Sequence, residues 1–243
     1  WAVISNEDER AKPGFGGDEL IPEAAIVDPE VLDEMPSDLA AVTGFDAFCH
    51  LNEAYVGDSA NPMADVFARE GIERVAEYLP ESVSPEDDDE KREARDEMAV
   101  ADTLAGICET TSMVVATHGL AHSISAYDPS VPHGEALASV ASEVAAYNVE
   151  NGDEETKRRY GEVAELLGMP VADRKLDAAL AVDAFDELKR EIGLDVSVGD
   201  LGIDEDALGW LAEHTVEYME MSIGNNPVDL DEEDLVEILD DAY

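Results

Sequence analysis

The sequence has very few positively charged residues. Only 14 of its 243 residues are lysine or arginine, against 60 aspartate and glutamate residues, and the formal net charge is -46. Such a charge repels phosphate groups, which excludes nucleic acid and anionic membranes as partners. It also opposes a compact fold in dilute buffer, whereas the screening length falls to roughly 3 Å in molar salt. Because the acidic residues are spread among apolar residues at helical spacing, we predict a folded protein of a high-salt cytosol and not a disordered acidic tail.

Cysteines are scarce, and long apolar runs are absent. Cys49 and Cys108 are far apart and lack the spacing of a metal-binding or redox motif. We therefore predict two buried free thiols and a reducing, cytoplasmic environment. No apolar run approaches the length of a membrane span, and the N-terminus has no basic and apolar regions typical of a signal peptide. With 45% apolar residues, the chain is long enough for one good-sized core.

The apolar pattern predicts a mainly α-helical protein with a short N-terminal β lead-in. Residues 1–5 and 24–27 have the composition of short strands, with polar and glycine-rich residues between them. From Ser37 onward the apolar residues recur with a period of 3.6. We divide the chain into a β-strand and loop lead-in over 1–36 and one all-helical domain over 37–243. Since the sequence opens within a predicted strand and without Met, we expect a further region to precede it in the full protein.

Eight helical segments are predicted in the second part. Ser37 is the predicted N-cap of the first, and Asp231 that of the last, with Asp234 in its first turn. The acidic residues 81–89 are predicted to form a surface loop. The segment 90–125 is predicted to be buried, as one central helix or two. The other segments are 37–55, 61–79, 135–147, 155–167, 176–192, 204–220 and 232–243.

The histidines are concentrated in a few short stretches. Asp46 and His50 are four residues apart, so on a helix both side chains project from one face, one turn apart. His118 and His122 repeat this spacing, and His133 follows. Three neutral imidazoles with one carboxylate suit a borderline divalent cation such as Fe²⁺ or Zn²⁺. Spacing alone leaves open whether these residues are ligands or hydrogen-bonded core histidines.

These residues lie in stretches that resemble the C-terminal part of iron-containing (group III) alcohol dehydrogenases, relatives of glycerol dehydrogenase and dehydroquinate synthase. The resemblance covers nearly the whole chain and implies the helical bundle of that family's metal-binding domain. It is carried by residues 25–30, Thr43-Gly44-Phe45-Asp46-Ala47-Phe48-Cys49-His50, Asn61-Pro62, His118-Gly119-Leu120-Ala121-His122, Pro132-His133-Gly134 and Asn225-Asn226-Pro227.

The resemblance also implies roles for particular residues. Asp46, His50, His118 and His133 are expected to hold the divalent metal. His122 is expected to lie near the nicotinamide and the alcohol as a proton-relay residue, with simple packing as the alternative. The resemblance further implies NAD or NADP as the cofactor of the complete enzyme, a small alcohol or aldehyde as its substrate, and a homodimer. His214, alone in an amphipathic segment, is predicted to be a packing residue.

Three features depart from the family pattern. Ser123 and Ser125 stand where the family commonly has Pro and Gly, and residues 110–113 replace an Asn- and Gly-rich stretch. Both differences bear on the shape of the active site. In addition, the sequence has no G-x-G-x-x-G or similar phosphate-binding loop, so the nucleotide-binding domain is missing from it. We therefore expect the chain alone to bind a metal, to bind nicotinamide cofactor weakly and to have little or no turnover.

Other functions remain open from the sequence. One is a polyol dehydrogenase of the glycerol dehydrogenase kind, usually zinc-dependent. Another is a non-catalytic helical module that stores metal or mediates oligomerisation. An acidic mimic of a basic partner accounts for the charge but not for the positions of the histidines.

Overall fold

The structure, a computed structural model, describes residues 2–4, 6, 10–17, 20–85 and 87–243. Over these residues it is mainly α-helical, as predicted. The helices are α1 Ser37–Val56, α2 Pro62–Val83, α3 Asp88–Ser112, α4 Ala116–Tyr127, α5 His133–Asn151, α6 Glu154–Leu166, α7 Leu180–Glu191, α8 Leu208–Tyr218, α9 Glu220–Gly224 and α10 Glu232–Asp241, with 3₁₀ turns at Pro29–Leu32 and Glu205–Ala207.

The β lead-in is smaller than predicted. Strand β1, Ala2–Val3, pairs antiparallel with β2, Gly14–Phe15, so the two form a local hairpin. Residues 1 and 5 of the first predicted strand lie outside the described residues. The second prediction was wrong, because residues 24–27 form no regular structure and Ile26 is 92% exposed. Strand-forming composition does not make a strand where no neighbouring strand completes the hydrogen-bond ladder.

The ends of several helices also differ from the predictions. The cap residue of α1 is Pro36, which makes no side-chain cap, and Ser37 is already helical. The acidic loop is shorter than predicted, because α2 continues to Val83 and α3 begins at Asp88. The segment 90–125 divides into α3 and α4, which are separated by residues 113–115. Asp231 caps α10 as predicted, in a reciprocal capping box with Asp234.

The helices pack around α1 and α4, which carry most of the predicted metal ligands. Helix α1 contacts α2, α3 and α5, while α4 lies against α5 and α8. Every residue from Ala116 to Ala126 is buried, so α4 has no polar outer face. Cys49 and Cys108 are buried free thiols, as predicted. No single helix among the described residues is long and apolar enough to cross a membrane; α3 and α4 pass that test only as a pair, bent by 102°.

Three arginines converge on one interior carboxylate, that of Glu162. Arg69, Arg158 and Arg174 each place a nitrogen 2.8 Å from a carboxylate oxygen of the buried Glu162. The Tyr55 hydroxyl donates to the same carboxylate at 2.6 Å. Three of the chain's 14 basic residues therefore pair with a single interior carboxylate.

We expect the fold to depend on salt. The helical circular dichroism signal should fall on dialysis from about 2 M KCl into dilute buffer, because the surface carboxylates then repel one another without screening. Sucrose is the control, since it stabilises by exclusion from the surface and does not screen charge. Helical signal that is unchanged in dilute buffer would contradict the prediction.

Candidate metal centre

Helices α1 and α4 bring three of the predicted ligands together. Asp46 and His50 lie one turn apart on α1, with Asp46 Oδ1 3.4 Å from His50 Nε2. The Nε2 atom of His118, on α4, lies 3.3 Å from the same carboxylate oxygen. One donor atom from each residue lies within 4.8 Å of the other two. These three groups are therefore close enough to share one ion.

A second carboxylate, Glu53, fixes the position of His118. The Nδ1–H group of His118 donates to Glu53 Oε1 at 2.6 Å, which leaves the Nε2 atom facing Asp46. The other oxygen of Glu53 accepts a hydrogen bond from the backbone N–H of Val115 at 2.6 Å. Helix α4 has no side-chain cap at its own N-terminus. Glu53 therefore both satisfies the start of α4 and orients the imidazole.

His133 lies beside these three residues and not among them. It is the first residue of α5, and its ring centroid is 5.5 Å from that of His118. Gly134 brings this end of α5 close to α1, because a Cβ at that position would lie only 2.1 Å from the Val42 carbonyl oxygen. The buried Nδ1 atom of His133 has no hydrogen-bond partner in the described part of the chain. His133 therefore adjoins the cluster with an unused ring nitrogen.

His122 lies one turn beyond His118 on α4 and next to His133. Its ring centroid is 5.1 Å from that of His133 and 6.4 Å from that of His118. Its Nδ1–H group donates to the backbone carbonyl of Lys12 at 3.3 Å, so its Nε2 atom carries the lone pair. The N-terminal hairpin is thus attached to the wall of the site through this histidine.

The charges of the cluster divide its histidines into two kinds. Burial lowers the pKa of His118, but the carboxylates of Glu53 and Asp46 outweigh this effect and raise it to about 10. Burial and the charge of His118 lower the pKa of His122 to about 3. The same two causes lower the pKa of His50 and of His133. The cluster therefore favours one positive charge, placed between two carboxylates, with neutral imidazoles around it.

This arrangement fits a divalent cation. Burial raises the pKa of Asp46, but the hydrogen bond and charge of His118 outweigh this effect. The net result is a lowered pKa, so the carboxylate stays ionised. A neutral His118 points its Nε2 lone pair at that carboxylate, which is unfavourable unless a positive charge lies between them. Either a proton or a metal ion meets this need. Mixed imidazole and carboxylate donors are typical of Fe²⁺ and Zn²⁺ sites.

The cluster opens into a cleft of ≈ 540 Å³. This volume is within the range of ordinary small-molecule sites. Besides the four histidines and Asp46, Lys12 from the hairpin lines the cleft. Burial lowers the pKa of Lys12, and the charge of Asp46 opposes that shift. The cleft can therefore hold a small polar molecule next to the cluster.

Sequence reasoning missed two residues of this site. Glu53 is three residues after His50 on the same helical face, and this spacing was a usable signal. Lys12 gave no signal, because its position depends on the hairpin. His214 is a packing residue, as predicted: its Nδ1 atom lies 2.9 Å from Ser123 Oγ, and its ring stacks on Trp210.

Comparison with known proteins identifies the family of the chain. Residues 40–243 match the family model described as "Fe-containing alcohol dehydrogenase family, C-terminal". The chain is 30% identical over 243 residues to an NAD-dependent methanol dehydrogenase of Bacillus methanolicus, covering 99% of this chain and 61% of that protein. It is also 30% identical to a lactaldehyde reductase of Escherichia coli, covering 99% of this chain and 60% of that protein. The chain thus spans about 60% of the length of these relatives.

Solved structures give the same result. The fold matches that of an archaeal halo-thermophilic alcohol dehydrogenase from a Red Sea brine pool, with a TM-score of 0.94 and 40% identity, over all of this chain and 60% of that one. It also matches a 1,3-propanediol oxidoreductase, with a TM-score of 0.89 and 28% identity, over 99% of this chain and 61% of that one. The resemblance seen in the sequence is therefore confirmed, and the chain belongs to the Fe-containing alcohol dehydrogenase family, matching its C-terminal part.

Proposed function

We propose that the full protein is a metal-dependent, NAD(P)-linked alcohol dehydrogenase and that this chain is its metal-binding half. The main support is the convergence of Asp46, His50 and His118 on one point of a cleft, with His133 beside them. The relatives are named as dehydrogenases or reductases of small alcohols and aldehydes, such as methanol and lactaldehyde. A small alcohol or aldehyde is therefore the proposed substrate class.

In this proposal Asp46, His50, His118 and His133 hold one Fe²⁺ or Zn²⁺ ion. Such an ion supplies Lewis acidity, which lowers the pKa of an alcohol oxygen. Glu53 keeps the His118 ring in the orientation that points its Nε2 atom toward the ion. Gly134 lets α5 approach α1, so that His133 reaches the same side of the cleft.

His122 is the proposed proton acceptor beside the substrate. Its Nδ1–H group is held by the Lys12 carbonyl, so its Nε2 atom is free to accept a proton. Burial lowers its pKa, so the imidazole is neutral before the reaction and passes an accepted proton on instead of keeping it. The hydride acceptor is a nicotinamide, bound mainly by the part of the protein that precedes this chain. The chain by itself is expected to bind metal and to turn over little.

The proposed function is tested on the product of the gene's full reading frame. The purified protein, loaded anaerobically with Fe²⁺ or separately with Zn²⁺ in high salt, should reduce NAD⁺ or NADP⁺ with methanol or 1,2-propanediol. Replacing His122 with alanine should lower kcat by about 100-fold, the usual contribution of a general base, while bound metal stays unchanged.

One result would contradict this proposal, and a second would change its substrate class. A full-length protein that binds one metal ion per chain without reducing either nucleotide with any small alcohol supports the non-catalytic module instead. A strong preference for glycerol in the zinc-loaded protein supports the alternative function, that of a polyol dehydrogenase. The matched control for His122 is His214→Ala, which removes a buried histidine outside the cleft.

A further inference from the structure

Met113 has a backbone conformation that residues with a Cβ rarely adopt. It follows α3 directly, with φ 61° and ψ −179°. Among the described non-glycine residues, only Arg10 and Met113 have positive φ. This region of φ and ψ is populated almost entirely by glycine, because a Cβ there collides with the neighbouring peptide groups. Such a residue persists only where its surroundings hold the backbone on both sides.

The backbone on both sides of Met113 is held by side chains from elsewhere in the fold. The Asn225 Nδ2 group donates to the carbonyl oxygens of Ser112 and Val114, at 3.0 and 3.1 Å. The next N–H group, that of Val115, is bound by Glu53, the carboxylate that orients His118. One of these contacts, that of Glu53, also orients His118 in the metal centre, whereas Asn225 holds the backbone on either side of the strained residue.

Met113 also lines the cleft of the metal centre. A glycine would fit the backbone at this position without strain, yet the chain has a large, unbranched thioether there. Strain that is kept at the wall of a binding site points to a function for the side chain.

We propose that Met113 is a steric gate that limits the size of the substrate reaching the metal centre. This inference rests on the proposed function and deepens it, since it narrows the substrate class to short, unbranched alcohols and aldehydes. The clamp of Asn225 and Glu53 keeps the backbone in the one conformation that directs the residue to the cleft. Because a single methylene group in such a pocket changes discrimination by about 10-fold or more, removal of the Met side chain should widen the accepted range measurably.

The strain is tested by unfolding measurements in high salt, which require neither metal nor activity. We compare Met113→Gly with Met113→Ala, since both remove the side chain and only glycine tolerates the backbone. Met113→Gly should unfold at the higher denaturant concentration. At Val100, in the interior of α3, the order should be reversed, because alanine stabilises a helix more than glycine does. The same order at both positions would overturn the claim of strain.

The gate is tested with Co²⁺ as a spectroscopic probe in the chain itself. Imidazole and 4-phenylimidazole are titrated into the cobalt-loaded protein, and their affinities are read from the visible absorption bands. In the unmodified chain imidazole should bind more tightly than the bulkier probe. Met113→Ala and Met113→Gly should both raise the affinity for 4-phenylimidazole by about 10-fold relative to imidazole. The control is Met63→Ala, which removes a Met side chain that is 70% exposed on α2 and outside the cleft.

The outcomes separate this inference from the proposed function. Cobalt that binds, with a probe ratio unchanged by either Met113 variant, overturns the gate and leaves the metal centre in place. A chain that takes up no cobalt overturns the metal centre, and the gate with it. A changed ratio in the Met63 control as well would show a general loosening of the fold and would also overturn the gate.

Discussion

Replacing His118 with alanine is expected to abolish stoichiometric metal binding. His118 is 3% exposed, and its Nε2 atom faces Asp46 while its Nδ1–H group is held by Glu53. Its loss removes one ligand and leaves the buried Glu53 and the partly exposed Asp46 without the positive charge between them. We expect the affinity for Fe²⁺ or Zn²⁺ to fall by more than about 100-fold, beyond the effect typical of partners outside the ligand set. Elemental analysis after dialysis in high salt measures the remaining metal.

The matched control for this variant is His214→Ala. His214 is also a buried histidine with both ring nitrogens hydrogen-bonded, but its partners are Ser123 and the carbonyl of Arg10. Its loss should lower the denaturation midpoint and leave bound metal at one ion per chain. His133→Ala extends the test to the predicted ligand that lies beside the other three. Full metal occupancy in both His118→Ala and His133→Ala would defeat the ligand assignment.

Replacing Glu53 with glutamine is expected to weaken metal binding by about 10- to 100-fold, although Glu53 is not a proposed ligand. The carboxylate accepts hydrogen bonds from both the His118 ring and the Val115 backbone. Glutamine has nearly the same shape, but it has one acceptor oxygen in place of two and no charge. The His118 ring is then held less firmly, and its Nε2 atom becomes a weaker ligand for the metal ion. Competition with a chromophoric chelator measures the change in affinity.

The control for Glu53→Gln is Glu109→Gln. Glu109 also lines the cleft, so its replacement removes the same charge from the same site. It does not hydrogen-bond to any proposed ligand among the contacts of the described residues, so only the electrostatic part of the effect should remain. If both variants weaken metal binding equally, Glu53 acts through its charge alone, and the orienting role is wrong.

Most of the fold could be predicted from the sequence, because helical periodicity is a local property. The period of 3.6 predicted the helical segments, and the residue types at 231 and 234 predicted the cap of α10, since each signal depends on residues a few positions apart. The prediction of a strand at 24–27 was wrong because strand formation is not a local property. A strand depends on a partner, and among the described residues the paired strands are Ala2–Val3 and Gly14–Phe15, not 24–27.

The candidate site could be predicted only in part from the sequence. The spacing of Asp46 and His50, and that of His118 and His122, placed each pair on one helical face. Whether the two faces meet depends on tertiary contacts, such as the hydrogen bond from the His118 ring on α4 to Glu53 on α1. The positive φ of Met113 could not be predicted either, because that residue type gives no local signal for it. In each case, contacts between residues distant in the sequence determine the geometry.

The central claim is that Asp46, His50 and His118 bind a single ion, with His133 as a further ligand. The most direct test is an anomalous difference map from crystals of the chain grown in high salt with Zn²⁺ or Fe²⁺. The account predicts one strong peak about 2.0–2.2 Å from an Asp46 carboxylate oxygen and from imidazole nitrogens of the histidines. Ordered side chains with no peak among them, or a peak bound only by surface carboxylates, would contradict it.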